Sequence, residues 1–285
     1  MLEGLAAAFS TYSAIPVPYR RSGGPGTGAA LFAFPAVGLV IGAAEIIAFR
    51  LLRIFRPGAF LQGCVLAALP VLITGGIHMD GFMDTCDAIH SWKGREERLA
   101  IMKDPHTGAY AVMGAVLYMF ITAGLWSEMT AAVLPVAAAG FMLSRALSAL
   151  AAAVLPKARK EGMLKAETDG MPANAGRILR IESAAFALIM ILAGLLCGFI
   201  AATANPAAEA AVAAESVSAV PIPAAGLLTG ASAVLAEALV FLYYHRMSMR
   251  NFGGITGDLA GWFLQTAELV MLAAVFTAGR LTGLI

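Results

Sequence analysis

Charge is scarce in this sequence. Only 13% of its 285 residues are Asp, Glu, Lys or Arg, whereas an average soluble domain contains roughly 25%. Hydrophobic residues make up 60% of the chain, and the mean hydropathy is +0.80. The formal net charge is only +1, so the charge balance does not indicate binding to nucleic acid. These values indicate an integral membrane protein whose main surroundings are the lipid bilayer.

Cysteine is also scarce. Cys64, Cys86 and Cys197 are widely spaced and form no CxxC pair, which argues against a disulfide framework and against a zinc–thiolate site. The first residues lack the basic segment that precedes the apolar core of a signal peptide, so we expect the N-terminus to be retained. Apolar residues recur every three or four positions within residues 1–18. This spacing predicts a short interfacial helix.

Long apolar runs, in contrast, are abundant. A transmembrane helix needs about 20 mostly apolar residues, and we therefore predict an all-α, polytopic membrane protein with about seven spans, with six or eight also compatible. No internal repeat is evident, so one membrane domain over residues 1–285 is the simplest description. The predicted spans cover residues 29–52, 58–77, 109–128, 130–155, 183–204, 222–245 and 259–278.

Lysine and arginine are distributed unevenly between the connecting segments. Because cytoplasmic loops are enriched in these residues, we predict an inner-membrane protein whose N-terminus lies in the cytoplasm. The loop 78–108 then lies on the cytoplasmic side, whereas Arg53 and Arg56 fall on the opposite side. The Ala- and Pro-rich segment 203–223 has no basic residue and is predicted to be a low-complexity outer loop. The sequence leaves open whether the protein forms a homo-oligomer.

Aspartate is scarcer than glutamate in this chain, yet three of the six aspartates occur in the stretch GGIHMDGFMDTCDAIHS, residues 75–91. If residues 79–91 form a helix, steps of 100° place Asp84 about 40° from Asp80 and Asp87 about 20° from it, on opposite sides. One helix face then carries three carboxylates that repel one another unless cations offset them. Oxygen ligands of this kind suit Mg²⁺. We favour a metal site over the alternative of a solvated polar helix face.

The same loop supplies further candidates. Asp104 followed by Pro105 is typical of a helix N-terminus, so Asp104 either caps the third span or belongs to the site. Arg98 and Lys103 provide cations for a phosphate, although basic residues near a membrane often contact anionic lipid instead.

A second candidate segment is RMSMRNFGGITGDLAGW, residues 246–262. Backbone amides around Gly254 could bind a phosphate before Asp258 opens the last span, and the alternative is a turn that Asp258 caps. Arg145 lies within an apolar segment, where a charge is costly and indicates either an ion pair or a substrate contact. Its candidate partners are three glutamates in other spans, Glu45, Glu237 and Glu268.

Two long motifs, GGIHMDGFMDTCDA and AIMKDPHTGAYAV, resemble the signature of the adenosylcobinamide-GDP ribazoletransferase family, also called cobalamin-5′-phosphate synthase. Shorter similar stretches follow along nearly the whole chain: FSTYSAIPVP, FPAVG, SRAL and GGITGDLAGWFLQTAELV. One departure is Ala88, where many members have glycine after the last aspartate. The resemblance implies that α-ribazole, or its 5′-phosphate, attacks adenosylcobinamide-GDP and expels GMP.

The resemblance also implies a requirement for Mg²⁺ and a set of site residues. Asp80, Asp84 and Asp87 would hold the metal and, with Asp104, would be catalytic. Substrate and phosphate contacts are expected from residues that the motifs contain or that carry suitable charge: His78, Arg98, Lys103, Arg145, Gly254 and Asp258.

Two other functions compete with this assignment. A CDP-alcohol-type phosphotransferase also uses a stripe of aspartates, but it expects Ala-Arg shortly after its first Asp-Gly pair, and here Phe82 and Met83 follow. A cation transporter could use the buried glutamates as a path, but the aspartates lie at the edge of the predicted membrane region rather than at its middle.

Overall fold

The computed structural model describes residues 2–18, 28–204 and 221–285. These ranges contain twelve helices and no strand. The helices are α1 (Leu2–Tyr12), α2 (Ala29–Phe32), α3 (Phe34–Phe55), α4 (Ala59–Thr74), α5 (Ile77–His90), α6 (Arg95–Ile101), α7 (Ala109–Glu128), α8 (Leu134–Val154), α9 (Met163–Thr168), α10 (Ala175–Ala204), α11 (Ile222–Phe252) and α12 (Gly257–Thr282).

Six of the described helical segments are long and apolar enough to cross a membrane, namely α2 with α3, α7, α8, α10, α11 and α12. The number rises to seven if the bent pair α4 and α5 counts as one span. Many large apolar side chains on these helices are exposed, including Leu39, Phe120, Leu192 and Leu239, as expected of surfaces that face lipid. The prediction of an all-α, polytopic membrane protein is confirmed.

The predicted spans differ from the helices mainly at their ends. The span 109–128 coincides with α7, whereas α10 begins eight residues before the predicted span 183–204 and α11 continues to Phe252. The predicted loop 78–108 is largely helical, because it contains most of α5 and all of α6. Within the predicted outer loop 203–223, residues 205–220 lie outside the described residues.

Helix α8 is the central element of the fold. It is Ala-rich and buried along most of its length, and it packs against α3, α10, α11 and α12. Small side chains allow neighbouring helices to approach closely in a membrane protein. The packing of α8 therefore fixes the position of the segment that follows it, beside α12.

The direction of α5 is determined by a pair of glycines. Gly75 and Gly76 have φ angles of 63° and 79°, in the left-handed region that glycine adopts without the steric cost of a Cβ atom. Gly75 ends α4 and Gly76 precedes α5, and the two helix axes meet at 98°. As a result α5 packs between α7 and α12, where its aspartates face other parts of the chain.

Candidate active site

A cavity of about 250 Å³ lies where α5, the segment after α8 and the beginning of α12 meet. We call it the central cavity. Apolar residues from α1 to α3 form part of its wall, including Tyr12, Leu31 and Phe34. The rest of the lining combines glycines and further apolar residues with nine polar ones: His78, Asp80, Ser148, Lys157, Arg159, Glu161, Lys165, Thr256 and Asp258. The two segments predicted to lie on one side of the membrane therefore meet in a single cavity.

A short backbone bridge joins two walls of this cavity. Lys157 and Ile255 form an isolated parallel β-bridge, in which Ile255 N donates to Pro156 O at 2.8 Å and Ala158 N donates to Ile255 O at 2.9 Å. Gly254 permits this contact, because a Cβ atom there would lie 2.6 Å from Ala158 N. The predicted phosphate-binding role of Gly254 therefore has a competing structural explanation, and its own N–H donates to Ser248 O.

Helices α5 and α12 approach each other closely at Gly81. A Cβ atom on Gly81 would lie 2.8 Å from both Cα and the carbonyl oxygen of Asp258, so a larger residue would push the helices apart. This contact places Asp80 and Asp258 on the wall of the same cavity. Asp84, one turn further along α5, is within electrostatic reach of Asp80, Asp87 and Asp258 and of the Arg159 guanidinium. The aspartate face predicted from the sequence thus gains a fourth carboxylate.

Asp87 has a role that the sequence did not indicate. Its Oδ2 accepts a hydrogen bond from Gly108 N at 2.6 Å, and its Oδ1 accepts one from Ala111 N at 2.9 Å. The carboxylate therefore caps the beginning of α7, where backbone N–H groups lack partners within the helix and a negative charge is favoured. Gly108 is needed for this contact, since a Cβ atom there would lie 2.6 Å from Asp87 Oδ1.

Of the two alternatives for Asp104, the one in which it caps the third span is wrong. Helix α7 begins four residues after Pro105, and Gly108 is its N-cap residue. Asp104 instead accepts a hydrogen bond from His106 N at 3.0 Å and contacts His106 Nδ1 at 2.6 Å in an exposed turn. These hydrogen bonds hold the pKa of Asp104 below its usual value. Asp104 does not line the central cavity.

Asp258 pairs with an arginine rather than capping its helix. Thr256 provides the cap of α12, because its Oγ1 accepts a hydrogen bond from Leu259 N at 3.1 Å. Arg159 Nη1 lies 3.2 Å from Asp258 Oδ2, and Arg159 Nη2 donates to Leu99 O at 3.1 Å. Arg159 therefore connects α12 to the segment after α8 and to α6. The alternative in which Asp258 caps the turn is replaced by a cap from Thr256.

His78 lies at the inner wall of the central cavity. Its imidazole packs against the neighbouring rings of Tyr12 and Phe34, with ring centroids 6.3 Å and 5.6 Å away. The side chain is buried, and within the described residues its Nε2 atom has no hydrogen-bond partner. An unpaired buried polar atom is costly, so His78 is suited to bind a polar ligand group in this cavity.

The other predicted phosphate contacts lie away from the central cavity. Arg98 Nη1 donates to Asn251 Oδ1 at 2.6 Å, which ties α6 to α11. Lys103 is exposed at a second cavity beside α6. Arg145 is fully buried and forms an ion pair with Glu268 on α12. It also donates to Ser144 Oγ at 3.0 Å.

The pairing of Arg145 selects one of the three predicted glutamates. Glu45 and Glu237 are fully buried, and within the described residues neither carboxylate has a hydrogen-bond partner. None of the three glutamates lines the central cavity. The Arg145–Glu268 pair joins α8 to α12 close to the cavity, since Ser148, one turn after Arg145, lines it.

Three basic residues of the cavity were not selected as site residues from the sequence. They are Lys157, Arg159 and Lys165, which belong to a basic run after α8 that served there only as a signal of membrane orientation. Lys157 Nζ donates to the carbonyl oxygens of Ala152 and Leu155 at the end of α8. Burial, followed by the charge of Lys165, lowers the pKa of Lys157. The signal that could have identified these residues is the position of the basic run directly after the apolar segment of α8.

The residues present are chemically suited to Mg²⁺, although they do not form a complete cage. Within the described residues, no group of three His, Cys, Asp or Glu side chains is arranged to hold a metal ion. Mg²⁺ does not require such a cage, because it usually binds through one or two carboxylates, several waters and phosphate oxygens of the substrate. Asp80 and Asp84 can supply the two carboxylates, with Asp258 nearby.

Comparison with known proteins gives one consistent result. The family described as cobalamin-5-phosphate synthase matches residues 4–276. The adenosylcobinamide-GDP ribazoletransferase of Lachnoclostridium phytofermentans is 34% identical over 277 residues, which cover 97% of this chain and 94% of that protein. The enzyme of the same name from Chlorobium phaeobacteroides is 32% identical, over 97% and 99% of the two chains. No solved structure matches the chain.

Proposed function

Because this chain belongs to the cobalamin-5-phosphate synthase family, we propose that it joins α-ribazole, or its 5′-phosphate, to adenosylcobinamide-GDP. The ribose 3′-hydroxyl oxygen attacks the phosphorus that is attached to the cobinamide. The bond from this phosphorus to the bridging oxygen breaks, and GMP leaves with that oxygen. The hydroxyl proton passes to a base or to water. The product is adenosylcobalamin or its 5′-phosphate.

The central cavity carries this proposal, because it combines carboxylates with cations at the beginning of a helix. Lys157 and Arg159 share the cavity with Asp80 and Asp258. The first amides of α12 have no partner within their helix and favour an anion. Space for a phosphate exists there, since a Cβ atom on Gly257 would meet nothing within 4 Å. Phosphoryl transfer depends on this kind of positioning and charge neutralisation.

The size of the cavity indicates which part of the substrate it holds. Its volume of about 250 Å³ is below the roughly 300–1,000 Å³ of pockets that bury a drug-sized ligand. A pyrophosphate group fits this space, whereas a corrin ring does not. The corrinoid must therefore lie outside the central cavity, with only its phosphate-bearing arm entering. His78 would then contact that arm or the attacking ribose through its unpaired Nε2.

We propose Mg²⁺ as the cofactor, held by Asp80 and Asp84. Their mutual repulsion and that of Asp258 would be relieved by a divalent cation. When bound, the ion would neutralise the pyrophosphate and make the attacking hydroxyl more acidic. Asp87 could bind the ion only through the carboxylate lone pairs that the N–H groups of Gly108 and Ala111 do not use. Arg159 and Lys157, which line the same cavity, would then contact the substrate phosphates.

The site is proposed to face the cytoplasm. Lys157, Arg159, Lys160 and Lys165 follow α8 and lie at the end of the protein that holds the central cavity. Enrichment in basic residues is typical of the cytoplasmic side. An active site on that side would receive its phosphorylated substrates without transport across the membrane.

The reaction is tested with the purified full-length protein in detergent, Mg²⁺ and adenosylcobinamide-GDP. We expect GMP to appear only after α-ribazole or its 5′-phosphate is added, in amounts equal to the corrinoid product measured by mass spectrometry. A 3′-deoxy analogue of α-ribazole is the matched control, because it lacks the attacking hydroxyl and should give no product. Absence of GMP release with the intact nucleoside and nucleotide would overturn the proposal.

A further inference from the structure

A second cavity opens on the far side of Arg159. We call it the outer cavity. Its volume is about 440 Å³, and it lies between α6 and the segment after α8. Its lining includes Glu96, Leu99, Lys103, Arg159, Lys160 and Glu161. Arg159 and Glu161 line the central cavity as well, so the two cavities meet at these residues.

Arg159 is held in position between the two cavities. It is bound on one side by Asp258 and on the other by the carbonyl oxygen of Leu99. Its side chain is 22% exposed, and its Nε atom is buried without a hydrogen-bond partner among the described residues. A guanidinium has five N–H donors, and these contacts use only some of them. Nη1 and Nη2 each keep a second N–H, and these two donors can bind a phosphate.

The outer cavity combines this arginine with groups of both charges. Lys103 and Lys160 suit a phosphate, whereas Glu96 and Glu161 would repel one. A ligand with an anionic group at one end and hydrogen-bond donors at the other would match both the lysines and the glutamates. Guanine has this donor character, because its N1–H and N2–H₂ groups point the same way and can both donate to one carboxylate. Adenine has an acceptor, N1, at the equivalent position.

We propose that the outer cavity is the subsite of the leaving guanylate. Arg159 binds the phosphate that departs when the pyrophosphate bond breaks, and Lys160 assists. Glu96, which lines the outer cavity but not the central one, accepts hydrogen bonds from the guanine edge. This inference rests on the proposed function, because it assigns one product of that reaction to a place. Arg159 then favours the transfer by stabilising the negative charge that develops on the leaving phosphate.

The subsite is tested by equilibrium binding of GMP, AMP and guanosine to the full-length protein in detergent with Mg²⁺, without any corrinoid. We expect GMP to bind at least about tenfold more tightly than AMP. Arg159→Gln should weaken GMP and AMP binding alike without affecting guanosine, and Arg159→Lys should retain part of the affinity. Glu96→Gln should weaken GMP but not AMP, and so remove the preference.

Two matched controls accompany these variants. Lys93→Gln removes a cation from the same region without touching either cavity. Glu97→Gln alters the next residue of α6 while keeping an oxygen that can accept the hydrogen bond from Gly94 N. Both should bind GMP like the wild-type protein, and melting curves report whether each variant is folded.

The inference is overturned if GMP and AMP bind equally to the wild-type protein. It is also overturned if folded Glu96→Gln keeps the preference, or if Arg159→Gln or Arg159→Lys with a normal melting curve leaves GMP affinity unchanged or weakens guanosine equally. These outcomes are independent of turnover. A protein that binds guanylate in this way but releases no GMP from adenosylcobinamide-GDP would contradict the proposed function instead.

Discussion

Replacing Asp87 and Asp84 by asparagine should have opposite effects on stability, although both residues belong to the same aspartate face. In Asp87→Asn, one carboxylate oxygen becomes an NH₂ group that faces a backbone N–H donor. The variant therefore loses one of the two hydrogen bonds to Gly108 and Ala111. A hydrogen bond to a charged group contributes about 1.5–3 kcal/mol, and a charge at a helix N-terminus adds about 0.3–1 kcal/mol.

These contributions predict a loss of about 2–4 kcal/mol in the free energy of unfolding for Asp87→Asn. At roughly 2–4 °C per kcal/mol for chains somewhat shorter than this one, the melting temperature should fall by roughly 4–16 °C. Asp84→Asn instead removes a charge that other carboxylates repel. One like-charged pair along a helix costs about 0.2–0.5 kcal/mol, so Asp84→Asn should melt at the wild-type temperature or slightly above it.

The assay is thermal unfolding of the purified proteins in detergent, followed by circular dichroism. A chelator is included, because a metal bound only by the folded state would add its own stabilisation. Equal decreases in melting temperature for the two variants would refute the assignment of Asp87 to the α7 cap. A lower melting temperature for Asp84→Asn alone would indicate that Asp84, and not Asp87, caps α7.

Three further predictions concern the support of the site and its cofactor. Gly254→Ala should destabilise the protein by about 1–3 kcal/mol, because the added Cβ atom would crowd Ala158 N; Gly257→Ala, with open space around it, is the control for melting temperature. Arg145→Ala should cost about 3–5 kcal/mol because it leaves Glu268 buried without its partner, and the double variant Arg145→Met, Glu268→Leu should recover most of that loss. Chelation should abolish GMP release, and added Mg²⁺ should restore it.

Each of these predictions has a result that would contradict it. Equal melting temperatures for Gly254→Ala and wild type would mean that the bridge between Lys157 and Ile255 does not constrain the turn. A double variant no more stable than Arg145→Ala would show that the ion pair is not the reason for the loss. Full activity in the presence of excess chelator would exclude Mg²⁺ as the cofactor.

The helices were predictable from the sequence because a bilayer demands long apolar segments, and these segments dominate the chain. The exact match at 109–128 reflects the polar residues on either side of α7. The ends of α10 and α11 were less accessible, because both helices continue past the apolar region with polar residues such as Arg177 and Arg250. Hydropathy identifies the membrane core of a helix and not its full length.

The aspartate face was predictable because its spacing is local, with Asp80, Asp84 and Asp87 on consecutive turns. The cap on α7 was not, since the contact between Asp87 and Gly108 joins residues 21 positions apart. Local sequence favoured Asp104 for that role, and tertiary packing supplied a different carboxylate. Arg159 was missed for a similar reason: its place beside Asp258 depends on the bridge between two distant segments.

The central claim is that Asp80 in the lining of the central cavity and Asp84, one turn further along α5, hold the Mg²⁺ needed for the transfer from adenosylcobinamide-GDP. The most direct measurement is the turnover of Asp84→Asn in Mg²⁺, with GMP and the corrinoid product quantified together, once its melting temperature has been shown to match that of the wild-type protein. We predict a loss of at least about 100-fold, equivalent to roughly 2.7 kcal/mol of transition-state stabilisation. Turnover at the wild-type rate in this variant would contradict the claim.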